Sequence, residues 1–167
     1  MENDAPPGLL SHREQEIWRA FLQFSENVVS AVERDLFTTT GLSGADFQIL
    51  ARLHETEHGQ MPQKHLGELV HWSQTRLSHQ LTRMQRRDLI NRASAGHGRL
   101  MTVSLTPAGR ATYTSALPHH THSVRTHFFA HAQQASQETG LQLLDAAARG
   151  DHQQTHAGKP EDRQDAP

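Results

Sequence analysis

The stretch SQTRLSHQLTRMQRRDLINRASAGHGR, Ser73 to Arg99, decides the fold. Leu77, Leu81 and Met84 recur at i, i+4 and i+7, which gives a helix one narrow apolar stripe to bury. The remaining positions, Gln74, Thr75, Arg76, Ser78, His79, Thr82, Arg83 and Arg86, carry donors that can reach base edges or phosphate oxygens. From His71 to Arg99 there are six arginines against one aspartate, a local charge of about +5 in a chain whose net charge is -2. Leu89-Ile90 and the alternation around Met101, Val103 and Leu105 predict two antiparallel strands, with the Gly96 and Gly98 loop between them. A polar helix followed by a hairpin with a basic tip outlines a winged helix facing a phosphate backbone.

Just upstream, Pro62 suits the first position of a helix bearing Leu66, Leu69 and Val70, and Ser73 suits the N-cap of the next. Only His71 and Trp72 lie between them, the tight link of a helix-turn-helix. Ser43 with Asp46 forms a capping-box pattern opening a helix through Phe47, Leu50 and Leu53 that is expected to stop near Gly59. Before it, Ile17, Phe21, Phe24, Val28, Val32 and Leu36 repeat at helical spacing up to about Thr39, with Trp18, Leu22, Val29 and Phe37 widening the face. That surface is too broad for a small winged helix to cover alone, which predicts packing on a second subunit.

Downstream, Thr106 and Pro107 fit an N-cap and a first helical residue, and Pro118 is expected to kink or interrupt the helix they open. Helix is expected again through Val124, Phe128 and Phe129, and a last helix through Leu141, Leu143 and Leu144 to Gly150. The expected organisation is a disordered lead at 1–10, a first dimerisation helix at 11–40 and a winged helix-turn-helix at 41–106. Dimerisation helices at 107–150 and a disordered tail at 151–167 complete it. The fold class is mainly α with a small β-hairpin wing.

Composition removes several functions. The chain has no cysteine, so disulfides, thiolate metal sites and thiol redox sensing are excluded. No apolar run reaches the roughly 20 residues that span a bilayer, and the polar, proline-containing N-terminus has no signal core, so a cytoplasmic protein is expected. His54-Glu55-Thr56-Glu57-His58 fits the H-E-x-x-H spacing of zinc proteases, but it falls at the end of a short amphipathic helix with no catalytic domain to supply a cleft. Fourteen histidines, five of them at 119, 120, 122, 127 and 131, keep zinc-responsive regulation open as an alternative, with His127 and His131 one turn apart. A winged helix used only for protein contact is the alternative of another class. No cofactor is expected and no metal ligand is assigned.

The element order and several strings resemble the multiple-antibiotic-resistance regulator (MarR) family of dimeric repressors over roughly residues 10 to 150. The strings are Leu105-Thr106-Pro107-Ala108-Gly109-Arg110 after the hairpin, Leu66-Gly67-Glu68-Leu69 leading to Ser73, and the passage from Arg83 to Ile90. The resemblance implies a non-enzymatic, triangular homodimer whose first and last helices form the interface and whose two winged helices grip a palindromic operator. Residues from Ser73 to Arg83 would enter the major groove, with Arg86 and Arg87 on phosphates and Arg99 in the minor groove. His97 stands where the family usually carries an acidic residue, and it is assigned to the same wing contact. An effector pocket between the first, second and fifth helices would be lined by Trp18, Phe21, Phe47 and Tyr113 and take a small molecule, aromatic in the family's usual case.

Overall fold

The computed structural model describes residues 8–94 and 101–130. Five α-helices are set around a small sheet: α1 (His12–Thr40), α2 (Gly44–His54), β1 (Gln60–Pro62), α3 (Gln63–Val70), α4 (Gln74–Arg86), β2 (Ile90–Ser94), β3 (Met101–Leu105) and α5 (Pro107–Val124). A π-helical turn, Arg125–Phe129, follows α5. The architecture is the mainly helical winged helix-turn-helix expected from the sequence.

The helix starts are chemically explicit. Ser11 and Ser43 each accept a hydrogen bond from the third helical N–H, and Glu14 and Asp46 reach back to complete both capping boxes. Ser73 and Thr106 cap α4 and α5 in the same way, without the returning acid. At Gly109 a Cβ would lie 1.8 Å from the Leu89 carbonyl oxygen, so only glycine lets the first turn of α5 close on the residue that leads from α4 into β2. With Thr106 as cap and Pro107 at the first turn, this gives the Leu105–Arg110 string a physical reason at three positions.

The sheet is antiparallel in the order β1-β3-β2, with Ile90 opposite Leu105, Ser94 opposite Met101, and Met61 opposite Val103. One continuous core joins Leu36 of α1, Phe47, Ile49, Leu50 and Leu53 of α2, Leu66 and Val70 of α3, and Leu77, Leu81 and Met84 of α4. It extends to Ile90, Val103, Tyr113 and Ala116. α1 packs along α5, yet buries only Ala31 and Leu36 along its 29 residues.

Three local expectations are corrected. The second helix ends at His54 rather than near Gly59, because the chain turns through Thr56 and Gly59 (φ 67°) to enter β1, a strand not expected from the sequence. Pro62 is therefore the N-cap of α3, not its first residue. Helix α5 is not interrupted at Pro118 but runs through it to Val124. Proline leaves the Thr114 carbonyl without its helical donor, and both residues are exposed, where water can take that bond. The wing loop with His97 and Arg99, the last expected helix and the C-terminal tail lie outside the described residues. No described helix is long and apolar enough to cross a membrane.

Candidate nucleic-acid interface

Helix α4 divides into two faces. Leu77, Leu81 and Met84 are fully buried, while Ser73, Gln74, Thr75, Arg76, His79, Arg83 and Arg86 are exposed and Ser78 and Thr82 half-buried. Its approach to α3 is set at Gly67, where a Cβ would meet the Leu77 Cδ2 at 3.3 Å and the Gln74 Nε2 at 3.5 Å. Among the described residues no ion pair engages Arg76, Arg83 or Arg86, so their charge is available to a partner. The Arg76 guanidinium lies 4.1 Å from the ring centroid of Trp72, a cation–π contact that orients it beside the turn.

Two arginines of the basic segment have another task. The Arg87 Nη1 donates to the Asp46 Oδ2 at 2.7 Å and its Nη2 to the Gly41 carbonyl at 3.4 Å. This gives Arg87 an internal partner that its reading as a phosphate contact did not include: a carboxylate only 2% exposed needs a counter-charge. Arg92 reaches the Gln63 Oε1 at 2.9 Å and the Thr82 hydroxyl at 3.5 Å, tying β2 to α3 and α4. Sequence reasoning also passed over Gln80, which is 4% exposed and donates to the Asp46 Oδ1 at 2.7 Å. The available signal was its place on the stripe of Leu77, Leu81 and Met84, where a polar side chain needs a buried partner.

Away from this face, an open cleft of about 430 Å³ lies between α1, α2 and α5. Val28, Val32, Leu36, Phe47 and Val124 form its apolar wall, and Glu33, Arg52, Glu55 and His120 its polar groups. Phe47 stacks on His120 at 4.2 Å and meets Tyr113 at 5.2 Å. Burial pushes the His120 imidazole below its ordinary value and, reinforced by Glu55, the Tyr113 phenol above its own. Of the four expected lining residues, Phe47 faces the cleft and Tyr113 sits buried behind it. Trp18 and Phe21 do not join them: they stack on each other at 5.7 Å on an exposed part of α1.

The histidine motifs separate. His54 closes α2 against Tyr113, and its Nδ1 lies 3.3 Å from the Arg110 Nη1; His58 stands in the exposed turn beyond. His127 is 2.8 Å from the Asp35 Oδ2, which also accepts from the Ser123 hydroxyl at 2.7 Å. These two bonds hold the Asp35 carboxyl below its usual range. No group of three metal-ligating side chains is present among the described residues, and His131 lies outside them.

No protein-family model and no curated protein sequence matches the chain. Solved structures do. AbsC, a MarR family transcriptional regulator from Streptomyces coelicolor, is 31% identical with a TM-score of 0.72, over 85% of this chain and 98% of that one. A second MarR family regulator from Streptomyces coelicolor, solved in complex with DNA, has a TM-score of 0.78 at 22% identity, over 92% and 97% of the two chains. BpsR from Bordetella bronchiseptica, whose DNA binding is regulated by 6-hydroxynicotinic acid, has a TM-score of 0.69 at 17% identity, over 80% and 98%. The last two likenesses are of fold; the first, in sequence and extent, fixes the relationship. The chain belongs to the MarR family of transcriptional regulators and is a regulator rather than an enzyme.

Proposed function

We propose that this protein is a dimeric, sequence-specific DNA-binding regulator, a repressor released by a small-molecule effector. The observation that carries the reading is the division of α4: a fully buried apolar stripe beneath an exposed row of hydrogen-bond donors with three cations unengaged by ion pairs among the described residues. In the major groove Gln74, Arg76, Ser78, His79 and Arg83 read base edges, Ser73 and Thr75 lie at the helix N-terminus against the backbone, and Arg86 contacts phosphate. His97 and Arg99 extend the contact from the wing into the minor groove. The DNA-bound neighbour supports this assignment by its shared fold.

Residues 11–40 and 107–150 flank the winged helix at 41–106 as dimerisation segments. The exposed apolar side chains of α1 are the surface that a second copy covers. A two-fold dimer places palindromic half-sites about 10 base pairs apart. The cleft between α1, α2 and α5 receives the effector, which releases DNA to the extent that it prefers the non-binding arrangement of the two recognition helices. The ligand-regulated neighbour supports a small molecule as effector.

Fluorescence anisotropy with the DNA upstream of the protein's own coding region, against random competitor at several salt concentrations, tests the reading. Competitor-resistant binding of one dimer per palindrome is expected, with affinity falling steeply with salt and the slope reduced by about 1 in Arg99→Ala. Binding no tighter than to random DNA would remove the specific-regulator assignment and favour a protein-contact module.

A further inference from the structure

Beneath the exposed face of α4 lies a chain of polar contacts that begins in another helix. Asp46, at the third position of α2, directs its Oδ2 to the Ser43 N–H (3.2 Å), the Ser43 hydroxyl (2.8 Å) and the Arg87 Nη1 (2.7 Å). Its Oδ1 accepts from the Gln80 Nε2 at 2.7 Å, and the Gln80 Oε1 accepts in turn from the Arg83 Nη2. Asp46 and Gln80 are both almost wholly buried, whereas Arg83 is exposed on the face assigned to DNA.

The chemistry permits one orientation of this chain. An ionised carboxylate only accepts, and a guanidinium only donates. A carboxamide between them must present its amine to the first and its oxygen to the second. Turning the Gln80 amide over would set oxygen against carboxylate and amine against guanidinium, two unfavourable contacts, the first of them between two buried side chains. Asp46 therefore fixes the Gln80 amide, and Gln80 fixes Arg83. An apolar residue at position 80 would fill the stripe of Leu77, Leu81 and Met84 equally well, but would leave the Arg83 guanidinium to search its rotamers.

We propose that Asp46 and Gln80 are positioning residues that preset Arg83 for reading one base pair of the operator. The proposal rests on the DNA-reading assignment of α4. Gln80 touches no base itself; it lowers the ordering cost that Arg83 would otherwise meet on binding. Arg83 keeps its remaining donors for the bidentate contact with a guanine that its fork geometry suits.

The experiment compares binding of operators substituted at each base pair by the wild type, Arg83→Ala, Gln80→Met and the two combined. Arg83→Ala identifies the base pair. Gln80→Met is expected to reduce discrimination at that pair alone, by roughly threefold to tenfold, the scale of ordering one long side chain. In the Arg83→Ala background it should have no further effect on that discrimination. The pair Asp46→Asn with Gln80→Glu reverses donor and acceptor while keeping an oxygen on Arg83, and should restore what Gln80→Met loses. A uniform loss over all base pairs, or additive effects of the two substitutions, would overturn the relay and leave Gln80 a structural residue. Nitrogen-detected NMR of the Arg83 guanidinium in the free protein gives a reading that needs no DNA: rotation slowed in the wild type and freed in Gln80→Met. If the wild type binds DNA without sequence preference yet this rotation is slowed, the DNA assignment fails and the contact survives only as structure. If rotation is equally fast in both proteins, the relay itself fails.

Discussion

Helices α1 and α4 both leave a long face exposed, and the two faces are opposite in kind. α4 buries its whole apolar stripe and shows only polar and cationic groups. α1 does the reverse: Ile17, Trp18, Phe21, Val29 and Phe37 are each about half exposed or more, and only Ala31 and Leu36 are buried. An exposed row of donors is stable in water and gains from a polyanion. An exposed apolar row is costly in water and gains from another apolar surface. The two faces therefore suit different partners, that of α4 a polyanion and that of α1 another apolar surface.

The strongest way to break this contrast is to make α1 resemble α4. Ile17→Glu combined with Phe21→Glu places carboxylates at i and i+4 on the apolar row. In a two-fold dimer each change occurs twice, and at roughly 1.5 kcal/mol or more per buried side chain the loss is about 6 kcal/mol, near four orders of magnitude in dissociation constant. Sedimentation velocity should show a dimer becoming a monomer at micromolar protein. A variant that sediments as the wild-type dimer would move the subunit contact off this face.

On α4 the expected effects are smaller and distinguish arginines that look alike in sequence. Arg76→Ala should relax preference at one operator position, costing about 1 to 3 kcal/mol there. Arg87→Ala should leave the pattern of preference intact and lower the thermal midpoint, since its partner is the buried Asp46. Binding to a panel of single-substitution operators, with melting curves, separates the two. An Arg76→Ala loss equal over all sequences would make it a backbone contact, and an Arg87→Ala shift in preference would return that residue to the DNA face.

The same contrast explains what could be read from sequence. α4 was legible because its apolar positions are few and all are buried, so periodicity and burial coincide. The capping serines and Thr106-Pro107 were legible because their chemistry is local. The ion pair of Arg87 is not legible because its partner is 41 residues away, and charge counting cannot tell a solvated cation from one that neutralises Asp46. The strand β1 escaped notice because a single inward residue, Met61, carries no period. The resemblance places the pocket between helices but not along α1, which is long enough to hold Trp18 and Phe21 away from the cleft that its C-terminal half lines.

The smallest effect belongs to the cleft, where α1 and α2 face each other across α5. His120 stacks on Phe47, and burial lowers its folded value below the ordinary 6.5. The unfolded chain then binds the proton more readily than the folded one. This contribution to stability is present above pH 6.5 and is lost as pH falls from there through the folded value. Asp35, held below its ordinary 3.8 by Ser123 and His127, changes charge only in stronger acid and does not enter this window. The thermal midpoint should therefore fall between pH 7.5 and 5.5, and fall less in His120→Phe, which keeps an aromatic ring on Phe47 without a proton to bind. The difference between the two proteins isolates this histidine from the other 13 in the chain. Parallel curves would show that protonation of His120 costs the fold nothing, and that its ring reaches water where it stacks.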